Sequence, residues 1–434
     1  MSEQENQNKK VEEKRKGKKV YRIIAIVLTV VISFTCGYFS KYIFDPQIAT
    51  SSTDLIKLIE QVGYIVDENG NERNLTKDDY LKAIADGVLD EYSTFYTKEE
   101  YEKTKKEGEG DYSGFGLSIY KGEEYPPIAI KVVGDSPADK EGLRAGDKVI
   151  SATFNGEVTN FSNSKELSKF LTARKKGDSV TFNVDRNGEQ CAFTIEKAEY
   201  KASYVTYFDS EKRISFHTVN GKKEIVEIVD ERIEELGVNT ALICLDSFEG
   251  EASSQLAKAI ECMRENNRTK LILDLRNNGG GYMTVLTEIA RHLIYNGGNK
   301  TLIAYSSGKS KNQTFYMENA VKYDFIENIS VLANESTASA SECLIGAMVY
   351  YGEKFSIDNL VIEKNSKGTA KTYGKGIMQT TYKFLDGSAL KLTTAKILWP
   401  DKQTCIHGTG FLANSENATE KGMSAVIRAV EILN

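Results

Sequence analysis

The side chains able to do chemistry in this chain cluster in a few places. Ser336-Thr337-Ala338-Ser339-Ala340-Ser341-Glu342 follows the apolar run Val331-Leu332-Ala333 and precedes Cys343, Leu344, Ala347 and Met348 at helical spacing. A serine at a strand-to-helix transition lies beside helix N-terminal N–H groups without helical partners, so its hydroxyl can be presented next to oxyanion donors. Small hydroxyl residues are also ordinary N-cap chemistry, and the cluster alone does not separate the two roles. A serine nucleophile needs a base, and the only histidines are His217, His292 and His407. His217 lies in a charged stretch and His292 on the apolar face of a helix, as a satisfied core residue; His407, in CIHGTG, keeps a Ser-His hydrolase open. Lysine can substitute when burial lowers its pKa, because desolvation disfavours the ammonium. Lys375, between Gly374 and Gly376, is the best placed, since flanking glycines permit close backbone approach. Gln379 can orient its amine only if the chain turns at Gly376, because an extended strand would hold the two side chains about 13 Å apart.

A second chemistry-bearing stretch is Gly114-Phe115-Gly116-Leu117, which opens a strand. Its glycines let backbone N–H groups turn toward one point, and a strand edge following it can accept an added peptide strand. Taken with Asp135-Ser136-Pro137-Ala138, Gly142-Leu143, Ala145-Gly146-Asp147, Ile150 and Asn155-Gly156, this region resembles a PDZ domain. The resemblance implies that Gly114 to Ile119 and the helix Lys165 to Ala173 line a groove for a protein C-terminus.

The elements that must position these residues fall into blocks. Residues 1–22 carry eight Lys or Arg against four Glu and read as a solvated basic tail. Ile23 to Ser40 is uncharged and spans about 27 Å as a helix, close to a bilayer core. Residues 23–42 are therefore expected to be a transmembrane anchor, with the basic tail cytoplasmic and the remainder extracytoplasmic; a cleaved signal peptide is the alternative, with Thr35-Cys36-Gly37 a poor cleavage site. Residues 50–112 form a helical N-terminal region that includes the charge run Lys98 to Glu109. Residues 113–197 alternate short strands and turns, with a hairpin across Asn187-Gly188, as a compact β-rich module. Residues 198–434 alternate strand and helix: strands Ala241 to Leu245, Lys270 to Leu275 and Ile329 to Ala333, helices Ala252 to Arg264 and Thr284 to Ile294, and the turn Asn277-Asn278-Gly279-Gly280-Gly281. In such sheets sites form at strand ends.

Composition narrows the function. The chain has 434 residues, 40% apolar and 27% charged, with a net charge of −6. That balance argues against a nucleic-acid binder that works by phosphate neutralisation. The six cysteines lie far apart with no C-x-x-C pair, which gives neither a zinc site nor a redox motif and leaves buried free thiols as the expectation.

Val331-Leu332-Ala333-Asn334, Thr337 to Glu342, Thr372-Tyr373-Gly374-Lys375-Gly376 with Gln379, and Asp274-Leu275-Arg276-Asn277-Asn278-Gly279-Gly280-Gly281 together resemble the carboxy-terminal processing (tail-specific) serine peptidases of family S41. The resemblance implies Ser339 as nucleophile, Lys375 as general base, Gln379 as the lysine's orienting partner, and N–H groups of Ala340 and of Gly281 or Gly280 as the oxyanion hole. It also implies a multidomain α+β and α/β fold with a ClpP/crotonase-like protease core, no metal or other cofactor, and protein substrates held by their C-termini through Gly114, Phe115, Gly116 and Leu117. The chain departs from the pattern at Gly279, where proline is usual, at the longer and more polar stretch Lys354 to Lys367, and near Asn414, where an acidic residue is usual. An inactive PDZ scaffold is the rival reading, and the sequence leaves a homo-oligomer open.

Overall fold

A computed structural model of the chain describes residues 73–119, 129–219 and 222–434, with Pro127 and isolated positions between 56 and 71. The basic tail and the anchor expected over 23–42 lie outside the described residues. Among the described residues, no helix is long and apolar enough to cross a membrane. The chain divides into two compact units, Met1–Ile84 and Ala85–Asn434. In the first, the Thr76 hydroxyl accepts the Asp79 N–H at 3.2 Å and Asp79 returns a bond to the Thr76 N–H, which starts helix α1 (Lys77–Val88).

The second unit includes strand β1 (Thr94–Tyr96) and helix α2 (Lys98–Gly108). The charge run becomes a helix because Thr97 and Glu100 form a reciprocal capping box at its start. A two-stranded link then pairs β2 (Asp111–Gly114) with β9 (Ala198–Lys201), and the module between them holds β3 (Leu117–Ile119), β4 (Ala129–Val132), α3 (Pro137–Lys140), β5 (Lys148–Phe154), β6 (Glu157–Asn160), α4 (Ser164–Thr172), β7 (Ser179–Arg186) and β8 (Glu189–Glu196). Strands β6-β5-β7-β8 form one antiparallel sheet. The β7–β8 hairpin turns at Asn187 and Gly188 with φ of +54° and +92°, the left-handed pair that a two-residue turn requires. Phe115, Leu143, Phe161, Leu167 and Phe182 fill the interior.

The remaining chain builds an eight-stranded sheet. Its order is β12 (Lys222–Ile228), β11 (Arg213–Val219), β10 (Val205–Phe208), β13 (Thr240–Leu245), β14 (Lys270–Asp274), β17 (Asn328–Ala333), β18 (Leu360–Glu363) and β21 (Ala418–Thr419). From β13 to β21 every pairing is parallel. Alternate residues of the central strands are buried on opposite faces. Ile243, Leu273 and Val331 join the core beneath helices α5 (Ala252–Glu265), α6 (Met283–Leu293) and α7 (Ala340–Tyr351). Leu242, Ile272 and Leu332 pack with helix α8 (Met423–Leu433) on the other side. Each such fully buried side chain is worth about 1.5–3 kcal/mol. A second sheet gathers β1, β15 (Thr301–Gly308), β16 (Gln313–Met317), β19 (Ile377–Lys383) and β20 (Ala389–Leu398).

The polar stretch Lys354 to Lys367 contains β18, a wholly buried strand of the main sheet. Four residues between polar turns are too few to shift the local composition, which is why the stretch reads as polar. All five described cysteines are free thiols; Cys262 and Cys343 are buried, whereas Cys191, Cys244 and Cys405 are only half-buried.

Candidate active site

Three parallel strands end at one cavity of about 790 Å³. Asp246 and Ser247 reach it from the end of β13, Gly279 to Gly281 from β14, and Ser339 from β17. Lys375 and Gln379 line it from the other side, so the serine, the lysine and the glutamine singled out in the sequence share one space.

Ser339 occupies the turn between β17 and α7 with φ +58° and ψ −116°. A non-glycine residue held there costs about 1–3 kcal/mol, and the surroundings must enforce it. The Ser339 N–H donates to Glu342 Oε2 at 3.0 Å. Asn278 O accepts both the Ala338 N–H and the Ser341 hydroxyl at 3.0 Å, which ties the serine turn to the glycine turn. Gly280, at φ +99°, packs so close that a Cβ would stand 2.8 Å from both Ala340 N and Ser339 Cβ. Only glycine fits. Gly279 is different, since an added Cβ would meet nothing within 4 Å, so this position has room for a side chain. One expectation needs correcting: the Gly280 N–H is committed to Asn278 Oδ1 at 2.9 Å, because the turn folds back on its own asparagine.

Glu342 joins the two halves of the site. Fully buried, its Oε1 accepts the Thr372 hydroxyl at 2.6 Å and the Gly374 N–H at 2.7 Å, while Oε2 accepts the Lys375 N–H at 2.9 Å as well as that of Ser339. One carboxyl group therefore fixes the backbone of both candidate catalytic residues. The CIHGTG segment backs the lysine loop: the Gly408 N–H donates to Gly374 O at 2.8 Å, and Gly374, at φ +88°, leaves no room for a Cβ beside Gly410 N.

The Lys375 ammonium stands 5.0 Å from the centre of the Tyr92 ring. Among the described residues no hydrogen bond joins it to the Ser339 hydroxyl. Burial pushes the Lys375 pKa down and the like charge of Lys391 pushes it further, while Asp90 opposes both. Gln379 does not reach the lysine. A bulge between Met378 and Gln379 aims its amide at Thr393 Oγ1, 3.1 Å away, and Thr393 in turn bonds Asp90, so any effect on the lysine passes through that carboxylate.

The histidines lie elsewhere. His407 is exposed and does not line the cavity. His292 is buried with Nδ1 3.0 Å from the Tyr323 hydroxyl, and burial brings its pKa down to about 4. His217, on β11, lies 3.7 Å from Asp135 and 3.8 Å from Asp139 of the β-rich module. Sequence reasoning assigned no role to Glu342 or Tyr92. The Ser339-x-x-Glu342 spacing of a capping box was the available signal for the first; the second arrives from a distant loop without any pattern. A separate cavity of about 370 Å³ is lined by Gly114 to Ser118 together with Leu171 and Thr172, at the end of α4.

A PDZ module joined to a strand-helix core that presents a strained serine and a desolvated lysine defines a PDZ-bearing serine peptidase. Residues 114–196 match the PDZ domain family and residues 239–416 match peptidase family S41. The chain is therefore similar to that peptidase family over residues 239–416. It is 27% identical over 401 residues to a probable CtpA-like serine protease of Staphylococcus saprophyticus, covering 91% of this chain and 72% of that one. A protein of the same description from Staphylococcus aureus is 28% identical over 413 residues, covering 94% and 74%. The solved photosystem II D1 C-terminal processing protease is 18% identical, with a TM-score of 0.47 over 82% of this chain and 85% of that one.

Proposed function

We propose that this peptidase works by Ser-Lys catalysis at Ser339 and Lys375, cutting proteins near C-termini that its PDZ groove has captured. The observation that carries the reading is that Ser339, in its strained turn, and Lys375, with its pKa lowered, face one cavity and hang from one carboxyl group, Glu342. In the neutral state the Lys375 amine leaves the Tyr92 face and takes the Ser339 proton as Oγ attacks the scissile carbonyl. The Ala340 N–H and the Gly281 N–H receive the oxyanion, since that of Gly280 is already engaged. Collapse of the adduct breaks the C–N bond, the lysine proton passes to the leaving amine, and an acyl-enzyme remains. Water then gives its proton to Lys375 and attacks the ester, and collapse of this second adduct frees the new C-terminus as the lysine returns the proton to Ser339 Oγ. Apolar residues Met283, Phe315, Ile377 and Ile397 line the same cavity and suit an apolar side chain next to the cut.

The uncharged run from Ile23 to Ser40 supports an extracytoplasmic, membrane-anchored site of action. The purified full-length chain, given peptides with free apolar C-termini, is expected to cleave them, and Ser339→Ala and Lys375→Ala to remain folded without cleaving. Retained cleavage by Ser339→Ala would overturn the assignment. Full activity in His407→Ala is expected, and its loss would favour a Ser-His mechanism.

A further inference from the structure

The PDZ groove ends at two cations, and one of them is not part of the PDZ module. Lys103, on helix α2, and Lys197, just after β8, both line the cavity of about 370 Å³. Phe115, Leu117, Val133 and Leu171 supply its apolar wall, and the Gly114-to-Gly116 turn, with Gly116 at φ +90°, supplies backbone at the same end. Among the described residues, no acid lines this space. The acids that act on the two cations, Asp178 on Lys197 and Glu107 on Lys103, stand outside its lining. Lys197 donates to Leu171 O at 3.3 Å and Arg174 O at 2.7 Å, which pins its ammonium at the mouth of the groove with a third donor to place. Burial and then repulsion from Lys103 both lower its pKa. Lys103 pairs with Glu107 at 3.7 Å with 72% of its side chain exposed, a contact too weak to hold it against a better anion.

We propose that Lys103, reaching across from helix α2, receives together with Lys197 the free carboxylate of a peptide whose last side chain fills the apolar end of the PDZ groove. This rests on the reading that the groove takes substrate C-termini. It adds that the cation setting the requirement for a free acid sits outside the module. A carboxylate between two ammonium groups gains charge-assisted hydrogen bonds that an amide does not. Helix α2 also has a second face, since Tyr101, Thr104 and Lys105 line the catalytic cavity. The helix is thus a wall shared by the two spaces.

The test uses the full-length chain carrying Ser339→Ala and a fluorescein-labelled decapeptide ending in valine, as the free acid and as the C-terminal amide, read by anisotropy. With Lys103 present, the acid is expected to bind more tightly than the amide. Lys103→Gln should weaken the acid by about five- to tenfold and leave the amide unchanged. Lys103 is exposed, so this variant is expected to fold, which equal thermal melting would verify. An acid preference that survives Lys103→Gln overturns the proposal while leaving C-terminal capture intact. Equal weakening of acid and amide overturns it as well, because Lys103 would then act on the body of the peptide. No acid preference in the chain that keeps Lys103 would remove both the proposal and the reading beneath it.

Discussion

Lys391 and Asp90 act on the Lys375 ammonium with opposite sign, so the base can be tested by moving charges around it rather than by deleting it. Activity needs the neutral amine and should rise with pH through the lysine's lowered pKa. Lys391→Gln removes a like charge, lets the pKa recover upward, and should move the acid limb of kcat to higher pH by about half a unit to one unit. Asp90→Asn removes a counter-charge and should move it the other way. Shifts of the same sign, or none, would count against Lys375 as base. Glu342→Gln puts an amide NH₂ where one oxygen accepted two donors, leaving at least one of them unpaired. A misplacement of the serine and lysine backbones on that scale should lower kcat by about a hundredfold with little change in KM; a change confined to KM would contradict the positioning role. At this scale the serine, the lysine and the glycine turn were legible as residue types at telling positions. Glu342 was not, because its spacing reads equally well as an ordinary cap. Gln379 was misjudged, since a β-bulge that no pattern announces turns it toward Thr393.

Helix α7 and the glycine turn meet at a contact that leaves no room for a side chain. Gly280→Ala would drive a methyl group against Ala340 N and Ser339 Cβ at a positive φ. The expected result is loss of turnover by about a hundredfold or more, with the far-UV spectrum kept. Wild-type turnover would show that the serine turn yields without cost. Among elements, the parallel strands of the main sheet were legible because burial on both faces gives unbroken apolar runs. Strands β19 and β20 were not, since Ile377–Lys383 carries threonines, a tyrosine and a lysine on a half-exposed sheet, and such a run has no one-sided apolar pattern. The four-residue strand β18 was hidden by its polar flanks.

The PDZ module and the protease core are bolted together by a ring of charge. Arg213 of the core donates to Asp139 of the module at 3.0 Å and to Glu231 of the core at 2.7 Å, and Arg144 of the module bonds the same two acids. Arg213 is almost fully buried, so Arg213→Met leaves Asp139 and Glu231 with Arg144 as their remaining partner in the ring and should cost about 2–3 kcal/mol, discounted for the partial exposure of Glu231 and Arg144. Thermal unfolding would show it, and an unchanged melt would mean that the ring contributes nothing. His217 stands beside this ring, facing Asp135, Asp139, Lys140 and Arg213. Burial outweighs the two acids and keeps its pKa below the ordinary 6.5. Its neutral form then contributes fully above about pH 6.5, and that contribution is lost as pH falls toward the lowered folded value. His292 acts with the same sign, so the reading is the difference between proteins: from pH 7 to 5, His217→Gln should lose less stability than the unaltered chain. Equal losses would remove His217 from the acid response. The order of the blocks was legible because their periodicities differ. This ring was not, because residues 139, 144, 213 and 231 meet only once the module has docked.

The most direct test of the central claim is to titrate the lysine itself. With lysine side chains carbon-13 labelled at Cε and the resonance assigned by its absence in Lys375→Arg, the shift can be followed against pH beside the rate of peptide cleavage. The expected result is a Lys375 midpoint below 10.5 that coincides with the acid limb of kcat. A lysine that stays protonated up to its ordinary value while cleavage is already complete in its pH response would contradict proton transfer from Ser339 to Lys375.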